Sequence, residues 1–234
     1  MPREDLLRRT YLGLRRWLAQ PEAAAPPGFP PPDTADASGL VAVSPGLHPE
    51  LVIEAYRRGI FPMAEESGLV GWWSPDPRAT LPLDAFHVPR RLARTVRQGR
   101  FELRVDNALD EVIAACADRP ETWISDEFRR VYGELGRRGI VHSLEAWHDG
   151  RLAGGLYGVA LGGAFMAESM FHRERDASKV AVVGLVERLR ARGFRLLDIQ
   201  YETRATAIFQ PVHLSRRAYL ARLAEALELP CRFD

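Results

Sequence analysis

Apolar residues recur at helical spacing from Leu6 to Leu18, so the chain is expected to open with a short amphipathic helix. The pattern then breaks. From Pro21 to Ser38 the composition turns to Pro, Ala and Asp, with Pro21, Pro26, Pro27, Pro30, Pro31 and Pro32 favouring extended backbone, which predicts a linker or a surface-draped arm. Leu40-Val41-Ala42-Val43 reads as a short strand. A helix is predicted from Pro49, a residue favoured at the first helical position, through Tyr56 to a stop at Gly59. Ile60-Phe61-Pro62-Met63 and Gly71-Trp72-Trp73-Ser74-Pro75-Asp76-Pro77-Arg78 follow, and their prolines and tryptophans predict a rigid surface loop.

Beyond Thr80 the pattern becomes longer-ranged. Phe128, Val131, Tyr132 and Leu135 fall at i, i+3, i+4 and i+7 behind a candidate N-cap, Ser125, and first-turn acids Asp126 and Glu127, predicting a helix that ends near Gly136 to Gly139. Strand-like stretches 143–148 and 152–160 flank Asp149-Gly150, a hairpin signal, and 163–171 supplies a further strand. A helix from Ser178 to Arg192 ends at Gly193, a strand runs from Phe194 to Tyr201, and Ser215 caps a last helix with Leu220, Leu223 and Leu227 on one face. A meander followed by helix, strand and helix predicts an α+β class. The expected organisation is an amino-terminal helix and Pro-rich arm over 1–38, a small domain over 39–79, and a larger domain over 80–234.

Composition narrows the function. A 234-residue chain that is 46% hydrophobic and 27% charged is not disordered throughout. No apolar run approaches the roughly 18–20 residues that cross a bilayer, and Met1-Pro2-Arg3-Glu4-Asp5 holds no apolar signal core, so no membrane partner and a cytoplasmic location are expected. Cys116 and Cys231 stand far apart, which excludes a disulfide framework and a thiolate zinc site. Six histidines show no ligand spacing, so no metal is expected. There is no Walker loop, no Gly-x-Gly-x-x-Gly, and no Gly-x-Ser-x-Gly elbow around Ser169, so any reaction has to start from a substrate already activated.

Net charge is only +1, yet residues 90–104 hold six arginines against Glu102. Arg90, Arg94 and Arg97 are spaced to share one helix face and to follow a phosphodiester backbone, the alternative being a solvated face. Glu168 lies between methionines, and alternation puts Met166, Glu168 and Met170 on one strand face. A carboxylate buried there needs a cationic ligand group or a resident arginine, and a structural role is the alternative. Asp198 and Gln200 alternate with apolar residues and are expected on the same side of a buried strand. Such a pair can orient an amine and hold a developing charge, or be satisfied by loop backbone.

In order along the chain stand Tyr56-Arg57-Arg58-Gly59-Ile60-Phe61-Pro62, Trp72-Trp73-Ser74-Pro75-Asp76-Pro77-Arg78, Glu168-Ser169-Met170-Phe171, Ala177-Ser178-Lys179 and Leu197-Asp198-Ile199-Gln200. From about Gly39 to Leu227 the chain resembles the leucyl/phenylalanyl-tRNA–protein transferases. The resemblance implies an acetyltransferase-like (GNAT) carboxy-terminal domain, a small amino-terminal α/β domain, and no metal or cofactor. It implies transfer of leucine, phenylalanine or methionine from aminoacyl-tRNA to the α-amine of proteins with amino-terminal Arg or Lys, tagging them for N-end rule degradation.

By the same resemblance, Asp198 and Gln200 form the reaction-centre pair and Glu168 receives the basic amino terminus. Leu156, Phe165, Met170, Val182, Leu185 and Leu197 line the donor side-chain pocket. Arg90, Arg94 and Arg97 follow the tRNA acceptor stem, Trp123 lies by the terminal adenosine, and Met63 stands where the family usually has a stacking tryptophan. Ser178 and Lys179 match in type, with a supporting role for Lys179. A second departure is Tyr201-Glu202-Thr203-Arg204-Ala205-Thr206-Ala207-Ile208-Phe209-Gln210, where the family commonly shows His-x-Ala-Ser-Leu-Gly. A related transferase with another donor or acceptor choice is the alternative. Acyl-coenzyme A chemistry is disfavoured because residues 173–179 contain no glycine, and an RNA-binding module without turnover is the non-enzymatic reading.

Overall fold

Seventeen helices and strands carry the fold in the computed structural model, which describes residues 3–19 and 28–234. The first part of the chain supplies α1 (Arg3–Leu18), β1 (Leu40–Ser44), α2 (Pro49–Arg57), β2 (Phe61–Ala64), β3 (Val70–Trp73) and β4 (Arg78–Thr80). Next come α3 (Arg90–Arg97), β5 (Glu102–Val105), α4 (Leu109–Ala117), α5 (Asp126–Arg137), β6 (Val141–His148), β7 (Arg151–Leu161) and β8 (Ala164–His172). The chain closes with α6 (Ala177–Ala191), β9 (Leu196–Gln200), β10 (Val212–Leu214) and α7 (Arg216–Leu227). Local signals act where the sequence puts them. Ser125 Oγ accepts from the Phe128 amide at 3.4 Å and Ser215 Oγ from the Ala218 amide at 3.3 Å, capping α5 and α7. Asp149 and Gly150 both take positive φ, 48° and 73°, the conformation of a tight hairpin between β6 and β7.

The class is α+β, with two sheets. Three antiparallel strands stand in the order β1-β3-β2, and seven stand in the order β10-β4-β9-β8-β7-β6-β5. Every pairing in the larger sheet is antiparallel except β8 with β9, the pair that α6 joins. One face of this sheet packs with α6 through residues such as Leu156, Phe165, Val182 and Leu197. The other face belongs to a cluster that runs from Val112 of α4 and Phe128 of α5 into Trp72 of the small sheet and Trp17 of α1.

Two expectations about the first eighty residues are corrected. The Trp-Trp-Ser-Pro stretch is no surface loop, because Val70–Trp73 is the central strand β3 and Arg78–Thr80 is β4. Trp72 is fully buried and its indole N–H donates to Ser44 Oγ at 2.9 Å. Prolines are tolerated because Pro62 lies on the edge strand β2, while Pro75 and Pro77 fall between strands. The arm, too, reaches the core: Phe29 and Pro30 are buried, and the Phe29 ring lies 4.7 Å from Trp72. Its prolines Pro21, Pro26 and Pro27 lie outside the described residues.

Candidate active site

Parallel strands β8 and β9 run in register through Ala164 with Leu196, Phe165 with Leu197 and Met166 with Asp198. Past that point opens a cavity of about 480 Å³, lined by residues 167–170 of β8 and by Ile199 and Gln200. Its apolar side is built by Leu81, Leu156, Met170, Val182, Leu185 and Leu197, and Phe61, Met63, Arg119 and Trp123 line it as well. Tyr201, Thr203, Arg204, Ala205 and Thr206 form another wall, so the segment that departs from the family pattern faces the same space.

Glu168 reaches this space through a β-bulge. Gly158 pairs with Ala167 and Tyr157 with Ser169, which leaves Glu168 as the extra residue of β8. The bulge resets the alternation. Met166 packs in the cluster of α4 and α5 while Met170 packs on the α6 side, so the expected single face of Met166, Glu168 and Met170 does not exist. Gln200 Nε2 donates to Glu168 Oε1 at 2.9 Å and Tyr132 Oη donates to Oε2 at 3.3 Å. The hydroxyls of Tyr132 and Tyr56 lie 2.8 Å apart. Burial, helped by the Asp198 charge and opposed by the tyrosine hydroxyls and Arg78, leaves the Glu168 carboxyl pushed up to about 7. Burial and the neighbouring acid push both tyrosines well above their ordinary value, keeping them neutral donors. No arginine pairs with Glu168 among the described residues.

Asp198 is placed otherwise than expected. It is fully buried and does not line the cavity. Oδ1 accepts from Arg78 Nε and from the Gln200 amide, both at 2.9 Å, and Oδ2 accepts from Arg78 Nη2 at 2.7 Å and from Tyr219 Oη at 2.8 Å. Four donors fill the carboxylate's four acceptor positions. Gln200 and Asp198 therefore do not present their side chains to one space, and the cause is local. Gln200 takes φ 54°, a left-handed conformation, and the Tyr201 amide closes a tight turn onto the Ile199 carbonyl at 2.6 Å. A non-glycine residue held there costs on the order of 1–3 kcal/mol, and the bond to Asp198 helps hold it.

Arg78, which opens β4 of the larger sheet, completes the assembly. It is fully buried, donates from Nη1 to the Gly59 carbonyl at 3.2 Å, and stacks between the rings of Phe61 (4.6 Å) and Tyr219 (4.5 Å). Burial alone would lower its pKa, but Asp198 and Tyr219 hold it above the ordinary arginine value.

Of the residues expected at the site, the cavity unites Glu168, Gln200, Leu156, Met170, Val182, Leu185, Leu197, Met63 and Trp123. Phe165 is not among the lining residues: it is fully buried and stacks on Phe233 with ring centres 5.0 Å apart. Lys179 also lies outside the cavity lining, with Nζ 3.7 Å from Asp176 Oδ1 at the start of α6. Arg90, Arg94 and Arg97 are exposed on α3, which packs on α6 and does not line the cavity. The local excess of positive charge is smaller than the sequence suggests, because Arg91 and Arg100 pair with Asp176 and Glu174 from outside the segment, while Arg104 pairs with Glu102 within it. Arg90, Arg94 and Arg97 have no ion partner among the described residues.

Sequence reasoning missed Arg78, Tyr219, Tyr132, Arg119 and Arg204 as site residues. Arg78 carried a usable signal, an arginine opening the strand-like run Ala79-Thr80-Leu81, whereas Tyr132 was hidden in an apolar helix face. Among the described residues no group of three or more His, Cys, Asp or Glu could hold a metal ion, and no helix is long and apolar enough to cross a membrane.

The family description "Leucyl/phenylalanyl-tRNA protein transferase" matches residues 80–224, and the corresponding "N-terminal domain" description matches residues 46–76. The leucyl/phenylalanyl-tRNA–protein transferases of Gloeobacter violaceus and Rubrobacter xylanophilus are each 55% identical over 80% of this chain, covering 97% and 98% of the respective relatives. That of Nitratidesulfovibrio vulgaris is 48% identical over 87% of this chain and 89% of its own. Among solved structures, the C-terminal domain of a putative lysylphosphatidylglycerol synthetase from Agrobacterium fabrum matches at TM-score 0.38 and 14% identity, over 78% of this chain and 63% of that one. A likeness that loose carries no argument.

Proposed function

From the premise that the chain belongs to the leucyl/phenylalanyl-tRNA–protein transferase family, we propose that it moves leucine or phenylalanine, and methionine by fit to the same walls, from aminoacyl-tRNA to the α-amine of proteins beginning with Arg or Lys. The product is a protein marked for N-end rule degradation, and the site of action is the cytoplasm. The observation that carries the reading is the placement of an apolar floor beside Glu168 and Gln200 in one cavity. A donor side chain fits the floor, and a cationic acceptor end fits the carboxylate.

The donor ester is already activated, and an α-amine of pKa about 7.7–8.0 is partly neutral at physiological pH, so a strong base is unnecessary. The amine nitrogen bonds to the ester carbonyl carbon, the carbonyl oxygen carries the developing negative charge, and the carbon–oxygen bond to the ribose breaks. The proton lost by nitrogen ends on the ribose oxygen. Rate comes from orientation: Gln200, held by Asp198 on one side and bonded to Glu168 on the other, fixes where the amine meets the carbonyl. Asp198 acts through Gln200 in this reading and is a positioning residue. Apolar walls accept leucine, phenylalanine and methionine and discriminate poorly among them.

The same reading takes residues 39–79 as a small amino-terminal domain and 80–234 as an acetyltransferase-like domain, with 1–38 as helix and arm. An antiparallel meander passing into a parallel pair through α6 supports it. Because Arg204 brings a cation to the cavity wall, a related transferase with a different acceptor choice is the second reading. One experiment separates the two: leucyl-tRNA is mixed with peptides beginning Arg, Lys, Asp or Ala, and amide formation is followed. Leucylation of the Arg and Lys peptides alone is expected, transfer to the Asp peptide would reassign the acceptor, and no transfer to any would refute the function.

A further inference from the structure

Arg119 and Arg204 line the cavity, and neither has an ion partner among the described residues. Arg119 is pinned there, its Nε donating to the Cys116 carbonyl at 2.7 Å and its Nη2 to Ser169 Oγ at 2.5 Å. Both acceptors are neutral. Among the described residues no carboxylate lies within 4.0 Å of Arg119 or Arg204, and the thiol of buried Cys116, pushed up to about 12 by burial, supplies no negative charge. Glu168, the acid of the cavity lining, is occupied by Gln200 and Tyr132. The cavity therefore carries more positive than negative charge, although the substrate end assigned to Glu168 is itself cationic. The two cations are therefore open to an anionic group of the assembled complex.

Trp123, four residues beyond Arg119, and Tyr201, three before Arg204, line the same space. Rings and guanidinium-bearing residues lining one cavity suit a nucleotide, the ring taking the base and the planar fork taking the phosphate. An acidic peptide would satisfy the charge but leave the rings without partners. We infer that Arg119 and Arg204 form a binding site for the phosphate on the 5′ side of the donor's terminal nucleoside, the one whose ribose carries the aminoacyl ester. Two of Arg119's five N–H donors serve to fix the group, which leaves donors for phosphate oxygens. Arg204, exposed on the Tyr201–Thr206 wall, contributes the second cation.

The inference rests on the proposed transfer reaction, and its test uses the full chain with an Arg-initiated peptide and two minimal donors, 3′-O-leucyl-adenosine and 3′-O-leucyl-adenosine 5′-monophosphate. The quantity read is the ratio of their kcat/KM values. Hydrogen bonds to a charged group predict an advantage of about tenfold for the phosphorylated donor. Arg119→Gln and Arg204→Gln should each shrink that ratio, Arg119→Gln to below about twofold, with Arg119→Lys restoring part of it. A wild-type ratio near one, or a ratio unmoved by both variants, overturns the inference. So does a change in the variants confined to the KM of an Asp-initiated peptide, which would assign the cations to the acceptor.

Should only intact leucyl-tRNA serve as donor, the salt dependence of its binding is read instead. Loss of one phosphate contact lowers the slope of log K against log salt by about 0.7, and an unchanged slope in both variants overturns the site. Failure of the wild type with every donor, leucyl-tRNA included, would sink the transfer reaction itself and not this site alone. Both side chains are exposed, so the variants should fold, and unchanged thermal midpoints check this.

Discussion

Arg78 and the three unpaired arginines of α3 carry the same guanidinium in opposite surroundings. Arg78 is enclosed between two rings and spends its donors on Asp198 and the Gly59 carbonyl. Arg90, Arg94 and Arg97 stand in water on one short helix, with no acid within ion-pair distance among the described residues. The enclosed charge cannot meet a substrate and acts by shaping what lies above it. The solvated charges shape nothing inside the protein and are available to a phosphodiester backbone. Burial, more than residue type, divides the arginines of this chain into those that build the site and those left open to solvent.

The contrast can be broken at its strongest point by Arg78→Met. Removing one partner of a buried pair strands Asp198, and a loss of about 3–5 kcal/mol in urea unfolding is expected. A loss under 1 kcal/mol would mean that the pair is not enclosed as described. Next in size is Asp198→Asn, which keeps volume but weakens the grip on Arg78 and on the Gln200 amide. Turnover should fall about 10²-fold, the scale of a misplaced reacting group, while binding of aminoacyl-tRNA stays within twofold. If the KM for tRNA rises as steeply as kcat falls, Asp198 does not act through the reaction geometry.

Glu168 sharpens the comparison from the cavity side. Its pKa in the folded chain is about 7, raised from 4.5 by burial. Between those values the folded chain holds a proton that the unfolded chain has lost, so the contribution to stability is fully present below 4.5 and disappears as pH rises through 7. Thermal midpoints should fall across that window in the wild type and fall less in Glu168→Gln. Binding of an Arg-initiated peptide should move the opposite way, tightening as pH rises through 7, and a flat KM profile would remove the carboxylate from acceptor recognition. The smallest effect belongs to the solvated side. Arg94→Ala should weaken tRNA binding severalfold at low salt, lower the salt slope by about 0.9, and leave kcat at saturation unchanged; an unchanged slope would detach α3 from the nucleic acid.

Most of the secondary structure was legible because caps, turn residues and apolar spacing all act locally, as Ser125, Asp149-Gly150 and Ser215 show. The cavity residues were legible one at a time, and the resemblance supplied their grouping. What failed depended on non-local geometry. A bulge at Glu168 and a left-handed Gln200 each rotate the strand pattern, and neither leaves a glycine or proline to announce it. Arg78 looks like any arginine after a proline until Asp198 arrives from 120 residues away. The Trp-Trp stretch failed for the reverse reason: its prolines mark edges and connections, and the strand between them is set by Ser44 and Phe29 packing around Trp72.

One guanidinium crosses the seam between the two sheets, since Arg78 belongs to a strand of the larger sheet yet donates to the carbonyl of Gly59 and lies against Phe61. Chimeras that exchange the first seventy or so residues between distant relatives would cut the molecule at that seam. A transplanted piece works only if it brings a carbonyl and a ring to the same two places, so the front end and the reaction chemistry of such enzymes are expected to be inherited together.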